Sequence, residues 1–155
     1  MTRRIRTIFG VCGLVFVLLQ GVPMSRKNPP VSQEVAAPPQ VEAILRRGCY
    51  NCHSNQTRWP WYAYVAPVSW LVVRDVARGR DHINFSTWDK YADDPETVIR
   101  KLRNIDKVMQ GRTMPLWYYL PEHAEARLSD ADRAAIEDWV TQSIRAEDKR
   151  EQVQP

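Results

Sequence analysis

The sequence predicts an all-α domain of about four helices joined by long loops, with an apolar helix ahead of it. Apolar residues recur at helical spacing in four stretches after residue 40, whereas strand-like alternation is weak throughout. Helix start and stop residues flank several of those stretches. Eleven prolines break the rest into short pieces, and no internal repeat is found. The six tryptophans supply large flat apolar surface, suited to a small core or to the walls of a flat ligand.

The apolar helix comes first. Residues 1–6 carry three arginines, Ile8 to Leu19 is almost entirely apolar, and Thr7 to Met24 holds no charge. Those 18 residues would span ~27 Å as a helix, close to the hydrocarbon thickness of a bilayer. Gln20-Gly21-Val22-Pro23-Met24 offers no small-residue cleavage site, so residues 1–24 read as an uncleaved signal-anchor, with a cleaved signal peptide as the alternative. The leading arginines place the N-terminus in the cytoplasm and residues 25–155 outside, although Arg26 and Lys27 oppose that bias. Residues 25–40 contain Pro29, Pro30, Pro38 and Pro39 and read as an extended, semi-rigid linker of up to ~50 Å.

The helices of the domain follow. Val41, Ile44, Leu45 and Gly48 share one face of a helix that runs into Cys49. Trp59 to Tyr64, between Pro60 and Pro67, is expected to be irregular. Pro67 opens a second helix with an apolar face of Val68, Leu71, Val72 and Val76, and Gly79 lies just past its end. Asp94-Pro95-Glu96 starts a third, burying Val98, Leu102, Ile105 and Met109 and ending at Gly111. Ser129 caps the last, whose buried face is Leu128, Ala135, Ile136, Trp139, Val140 and Ile144. Residues 41–145 form the domain, and 146–155 a polar tail.

The net charge of +4 is concentrated around the apolar segment. From Asn28 onward there are 17 Lys/Arg against 18 Asp/Glu, so no nucleic-acid footprint is present. Three cysteines do not make a disulfide framework. Cys12 lies in the apolar segment, and Phe9-Gly10-Val11 ahead of it does not suit a lipoprotein cut.

Cys49-Tyr50-Asn51-Cys52-His53 reads as a c-type haem attachment site. Residues i, i+3 and i+4 of a helical turn share a face, so both thiols can meet the haem vinyl groups while the imidazole reaches the iron. A zinc site would need a fourth ligand, with His82 or His123 drawn from afar. A redox dithiol expects a βαβ context that is missing. Two buried free thiols are the remaining alternative.

The text CYNCHSNQTRWPWYAYVAPVSWLVVRDVARGRDHINFSTW, from Cys49 to Trp88, resembles the small haem-binding domain family of bacterial monohaem c-type cytochromes. Asn28-Pro29-Pro30, GRTMP at 111–115 and PEHAEARLS at 121–129 extend the resemblance over nearly all of the chain after the apolar segment. It implies an exported or anchored protein with one covalently bound haem c. The order of features is also similar to class I cytochrome c: motif first, Met-Pro late, then a closing helix packed on the first. The aromatic insertion after His53 departs from that pattern.

Met114, in a loop stiffened by Pro115, is the first candidate for the distal iron ligand opposite His53, since Met/His ligation raises the potential as carriers need. His123, Met109, His82 and an open position are alternatives, and a methionine filling a core gap is the ordinary reading of Met114. Among Trp59, Trp61, Tyr62 and Tyr64, Trp59 is the first choice for haem contact. Trp70, Trp88 and Trp117 read as core. Arg58, Arg112, Tyr118 and Tyr119 are candidate propionate partners. Arg100, Arg103 and Lys107, with Lys101 beside them, read as a solvated helix face, alternatively as a docking patch for an acidic redox partner. The expected function is single-electron transfer in the periplasm by a carrier anchored to the inner membrane, serving a redox partner protein there. A haem-based sensor of small ligands and a peroxidase-like enzyme are the other two readings.

Overall fold

The computed structural model describes residues 3–153. They form seven α-helices: α1 (Arg3–Leu19), α2 (Pro39–Gly48), α3 (Tyr50–His53), α4 (Val68–His82), α5 (Asp89–Ala92), α6 (Pro95–Gln110) and α7 (Asp130–Val153). Two 3-10 turns, Trp61–Tyr64 and Ala124–Ala126, complete the list, and the described residues contain no β-strand beyond an isolated bridge between Gln33 and Thr87. The all-α class holds. The number of helices is higher than periodicity suggested, because α3 and α5 are each one turn long and too short to show a repeat.

Three of the predicted helices form as their residues dictate. Proline at the first turn of α2 and of α6 costs no hydrogen bond, because those N–H groups have no helical acceptor. α2 buries Val41, Ile44 and Leu45. α6 buries Val98, Leu102, Ile105 and Met109, together with Ile99, and Gly111 takes its C-cap. α6 and α7 pack along each other, and α2 lies against α7. Ile136, Trp139 and Val140 supply the α7 side of the core, with Leu128, Ala135 and Ile144 packed around them. The helix continues into the expected polar tail as far as Val153, and Arg150 donates to the Ala92 carbonyl at 2.9 Å.

α4 departs from expectation in register and length. Gly79 is inside the helix, which runs on to His82, and the residues it buries are Ser69, Val76 and Gly79. Val68 and Leu71, expected inside, are 45% and 37% exposed. That face packs against α3, where a Cβ at Gly79 would already meet the Cys52 carbonyl oxygen. The aromatic segment, expected to be irregular, is a 3-10 turn over Trp61–Tyr64. Trp117, expected in the core, is 80% exposed.

The proline-rich segment is extended, and it is docked. Ser32 N donates to Ser86 O at 3.0 Å, Val35 N to Phe85 O at 2.9 Å, and Trp88 N to Gln33 O at 2.9 Å. Val35 is buried in the main core. α1 stands apart, with every described side chain exposed except Leu19. Its 17 residues span about 26 Å at the helical rise, against about 30 Å of hydrocarbon. Among the described residues no helix is long and apolar enough to cross a membrane.

Candidate haem site

Cys49 closes α2, its N–H bonding the Leu45 carbonyl, and its own carbonyl opens α3 by accepting from Cys52 N at 3.1 Å and His53 N at 2.9 Å. One helical turn thus holds Cys49, Cys52 and His53. The cysteines are not joined to each other. Burial pushes the Cys49 thiol up to about 12, Cys52 adding to the effect, and the Cys52 thiol up to about 11, with Asp75 adding. Burial thus favours the protonated thiol at both positions. Among the described residues no cluster of His, Cys, Asp and Glu has the makings of a metal cage.

His53 is held by α4. Its Nδ1 lies 2.9 Å from the Gly79 carbonyl and 3.2 Å from that of Ile83. Carbonyls only accept, so Nδ1 carries the proton and Nε2 keeps a bare lone pair. Burial lowers the affinity of the ring for a second proton, against the pull of the two carbonyls. A neutral imidazole with one nitrogen anchored and the other bare is what a metal-binding histidine requires.

Gly79 makes this possible, and its role was missed because glycine read as a helix end. A Cβ there would sit 2.6 Å from the Cys52 carbonyl oxygen. Glycine inside a helix costs about 1 kcal/mol relative to alanine, so its presence there marks a close packing contact. Asn51, between the two cysteines, was also missed. Its Nδ2 donates to Tyr119 Oη at 2.7 Å, its Oδ1 accepts from Arg58 N at 3.1 Å, and its carbonyl accepts from Thr57 Oγ1 at 2.9 Å. The loop after the motif is fixed by Arg80, which donates to Ser54 O, Lys27 O, Asn28 Oδ1 and Thr57 Oγ1. Asn28 and Pro30 thereby belong to the support of the site, Pro30 O accepting from Asn55 Nδ2.

Tyr118 and Tyr119 return to this turn: Tyr118 Oη donates to Asp75 on α4 at 2.8 Å, and Tyr119 meets Asn51. Met114 is half-buried against the core, its carbonyl accepting from Arg133 at 3.1 Å. Met109 is 2% exposed and is a core residue of α6. His123 has both ring nitrogens engaged. Nδ1 donates to the Glu125 carboxylate at 3.0 Å, and Tyr62 Oη donates to Nε2 at 2.7 Å, while Tyr119 stacks on the ring at 3.9 Å. His82 is exposed at the C-terminal end of α4, next to the Ile83 carbonyl that meets His53. Arg112 pairs with Asp130 at 2.6 Å, and Arg58 is exposed. Trp59 is half-buried, with an indole N–H that is enclosed and has no acceptor; the same is true of Trp70. Trp61, Leu71 and Trp117 are left largely exposed.

A helical domain with an anchored, metal-ready histidine beside two cysteines defines a haem-binding protein. Residues 14–142 match the family model described as haem-binding domain, and the chain belongs to that family. It is 32% identical over 104 residues to a protein named cytochrome c peroxidase Ccp from Escherichia coli (strain K12). The match covers 65% of this chain and 22% of that protein, so the chain spans about a fifth of its relative's length. No solved structure matches the chain significantly.

Proposed function

We propose that the chain is a membrane-tethered monohaem c-type cytochrome that passes single electrons on the periplasmic side of the inner membrane. The observation that carries this reading is the turn Cys49–His53, which sets both cysteines beside a histidine anchored through Nδ1 to the Gly79 and Ile83 carbonyls. Haem c supplies a one-electron ferric/ferrous couple when bound. Cys49 and Cys52 would hold it as thioethers, their thiols adding across its vinyl groups, and His53 Nε2 would ligate its iron. Met114 is the distal ligand this reading selects, since Met109 is committed to the core and His123 to Tyr62 and Glu125. The enclosed N–H groups of Trp59 and Trp70 suit carboxylate acceptors such as haem propionates, because a buried donor left alone costs about 1–3 kcal/mol. Trp117 is exposed aromatic surface, two residues before the Tyr119 that bonds Asn51 of the motif, and a flat apolar group would cover it.

The apolar face all round α1 supports the tether, since such a helix in water exposes Phe9, Leu14, Phe16 and Leu18 without a partner. Arg100, Arg103 and Lys107 on α6 are the patch this reading offers to an acidic redox partner. The relative's name supports a peroxidase module equally well, as a donor or as part of an enzyme. Expression with and without haem-attachment machinery tests the core of the reading. Haem colour should survive denaturing electrophoresis, and Cys49→Ala with Cys52→Ala should abolish it. Colour extracted by acid-acetone from the native protein would refute covalent attachment. Carbon monoxide separates the functional readings: a six-coordinate carrier resists it in the ferrous state, whereas a sensor or peroxidase binds it.

A further inference from the structure

We infer that the haem domain lies directly on the bilayer, with Trp61, Tyr64 and Val68 seated in the interfacial layer beside the end of α1. The inference rests on reading α1 as a membrane anchor, and it replaces a domain swinging on a flexible spacer with one clamped at a fixed height.

The clamp begins one residue after α1 ends. Gln20 Oε1 accepts from Ala66 N at 2.9 Å, and Gln20 Nε2 donates to Ala66 O at 3.4 Å and to Phe16 O at 2.8 Å. A single side chain therefore ties the last turn of α1 to the backbone just before α4. Arg26 adds a second tie: Nη1 donates to Ala63 O at 3.1 Å, and its guanidinium sits 4.5 Å from the centre of the Tyr64 ring. Arg80 adds a third, through Lys27 O and Asn28 Oδ1. The chain that follows α1 is thus used up in contacts with the domain and does not act as a tether.

The position of the patch follows. Each headgroup layer is about 5–8 Å deep, and residues hydrogen-bonded to the helix end fall within or beside it. The residues left exposed there are of the interfacial kind. Trp61 is 72%, Tyr64 58% and Val68 45% exposed, and Leu71 continues the Val68 face of α4. Trp and Tyr concentrate at membrane–water boundaries because one part of each ring system is apolar and another hydrogen-bonds. Arg26 stands among them with an aliphatic stem and a charged tip that suits the same layer. Gln20 and Arg26 tie the patch to the end of α1, whose apolar side chains are exposed, and that tie is the argument for lipid over a second copy of the chain. Because α3 and the 61–64 turn both pack on α4, the haem motif is held at a constant short distance from the surface.

The test uses the full-length holoprotein in vesicles of neutral and anionic phospholipid. Tyr64→Cys in a Cys12→Ser background carries an environment-sensitive fluorophore, and Gln142→Cys, exposed on α7, serves as reference. Nitroxide groups at headgroup depth should quench the probe at 64 at least twofold more than that at 142, and aqueous iodide should quench it severalfold less. Gln20→Ala with Arg26→Ala should bring the two probes together in both assays. Equal quenching in the parent protein overturns the docking, and unchanged quenching in the double variant overturns the clamp. Flotation with the vesicles is read separately. A chain that fails to float refutes the anchor and the docking together, whereas one that floats with equal quenching refutes the docking alone.

Discussion

The Cβ that alanine would add at position 79 falls 2.6 Å from the Cys52 carbonyl oxygen and 3.0 Å from its carbon, both backbone atoms that cannot swing aside. Gly79→Ala must therefore push α4 away from α3 and lengthen the bond from His53 Nδ1 to the Gly79 carbonyl. The expected stability loss is about 1–3 kcal/mol, as for an overpacked core site, measured by denaturant unfolding of the holoprotein. The potential should rise as well, because a weaker bond at Nδ1 makes Nε2 a poorer donor to ferric iron. An unchanged potential would mean that the carbonyl does not tune His53. The three distal candidates separate at this scale too. Met114→Ala should open the iron to carbon monoxide and lower the potential, since a soft ligand favouring ferrous iron is lost. Met109→Ala should leave the ferric spectrum alone and cost about 2–5 kcal/mol for the cavity. His123→Ala should leave the spectrum alone and free Tyr62. A spectrum that changes only in His123→Ala would refute Met114 and require the Tyr62 and Glu125 bonds to break. Cys49, Cys52 and His53 were legible because their chemistry depends on spacing along one turn. Gly79, Asn51 and Arg80 were not, because their work is done on partners 23 to 68 residues away.

Helix faces were legible where a helix packs on one neighbour and hidden where two neighbours compete. α6 meets α7 along its length, and Val98, Leu102, Ile105 and Met109 are buried as periodicity required. α4 meets both α3 and the 61–64 turn, so Ser69, Val76 and Gly79 are buried while Val68 and Leu71 face outward, a choice that hydrophobicity alone does not make. The start of α7 shows a capping arrangement with a pH dependence. Ser129 N and Oγ both donate to the Asp132 carboxylate at 2.8 Å, Asp132 N donates to Ser129 Oγ at 3.1 Å, and Arg47 from α2 pairs with Asp132 at 2.6 Å. Burial raises the Asp132 carboxyl, but the hydrogen bonds from Arg47 and Ser129 and the Arg47 charge outweigh it, holding the group below the usual carboxylate range. The folded state therefore binds this proton less readily than the unfolded one. The stabilisation is fully present above about pH 4, the unfolded value, and is lost as pH falls through the lower folded value. Asp132→Asn should cost about 1 kcal/mol at neutral pH, the usual worth of a cap. The difference from the parent should shrink below about pH 4, as followed by thermal unfolding across pH 3–7. A difference constant over that range would show that the charge of Asp132 contributes nothing.

At the scale of the whole molecule, the segment before α2 decides how the parts act together. Its prolines read as a spacer because extended backbone with few apolar residues has no periodicity to reveal what it touches. What it touches is a row of backbone groups at residues 85–88 and the polar side chains of the post-motif loop. Asn55 sits at the centre: its N–H bonds Ser86 Oγ, its Nδ2 bonds Pro30 O, and its Oδ1 accepts from Asn84 Nδ2. Phe85 in turn gives its N–H to the His53 carbonyl at 2.8 Å. The segment thus braces the turn that carries the haem motif, through Asn55 and Phe85 and through Arg80 of α4. A chain beginning at Val41 loses Val35 from the core, worth about 1.5–3 kcal/mol. It also loses the bonds of Asn28, Pro30, Ser32 and Gln33, each worth about 0.5–1.5 kcal/mol. A chain beginning at Ser25 keeps them all. The expected outcome is a clear drop in thermal midpoint for the shorter form and near-parent behaviour for the longer one, both measured on haem-loaded protein. The shorter form should also show faster amide exchange at Phe85 and His53, since the strip that covers them is gone. If both forms melt together with equal protection at those sites, the segment is a passive spacer, and the short distance between membrane and haem site would have to be held by Gln20 and Arg26 alone.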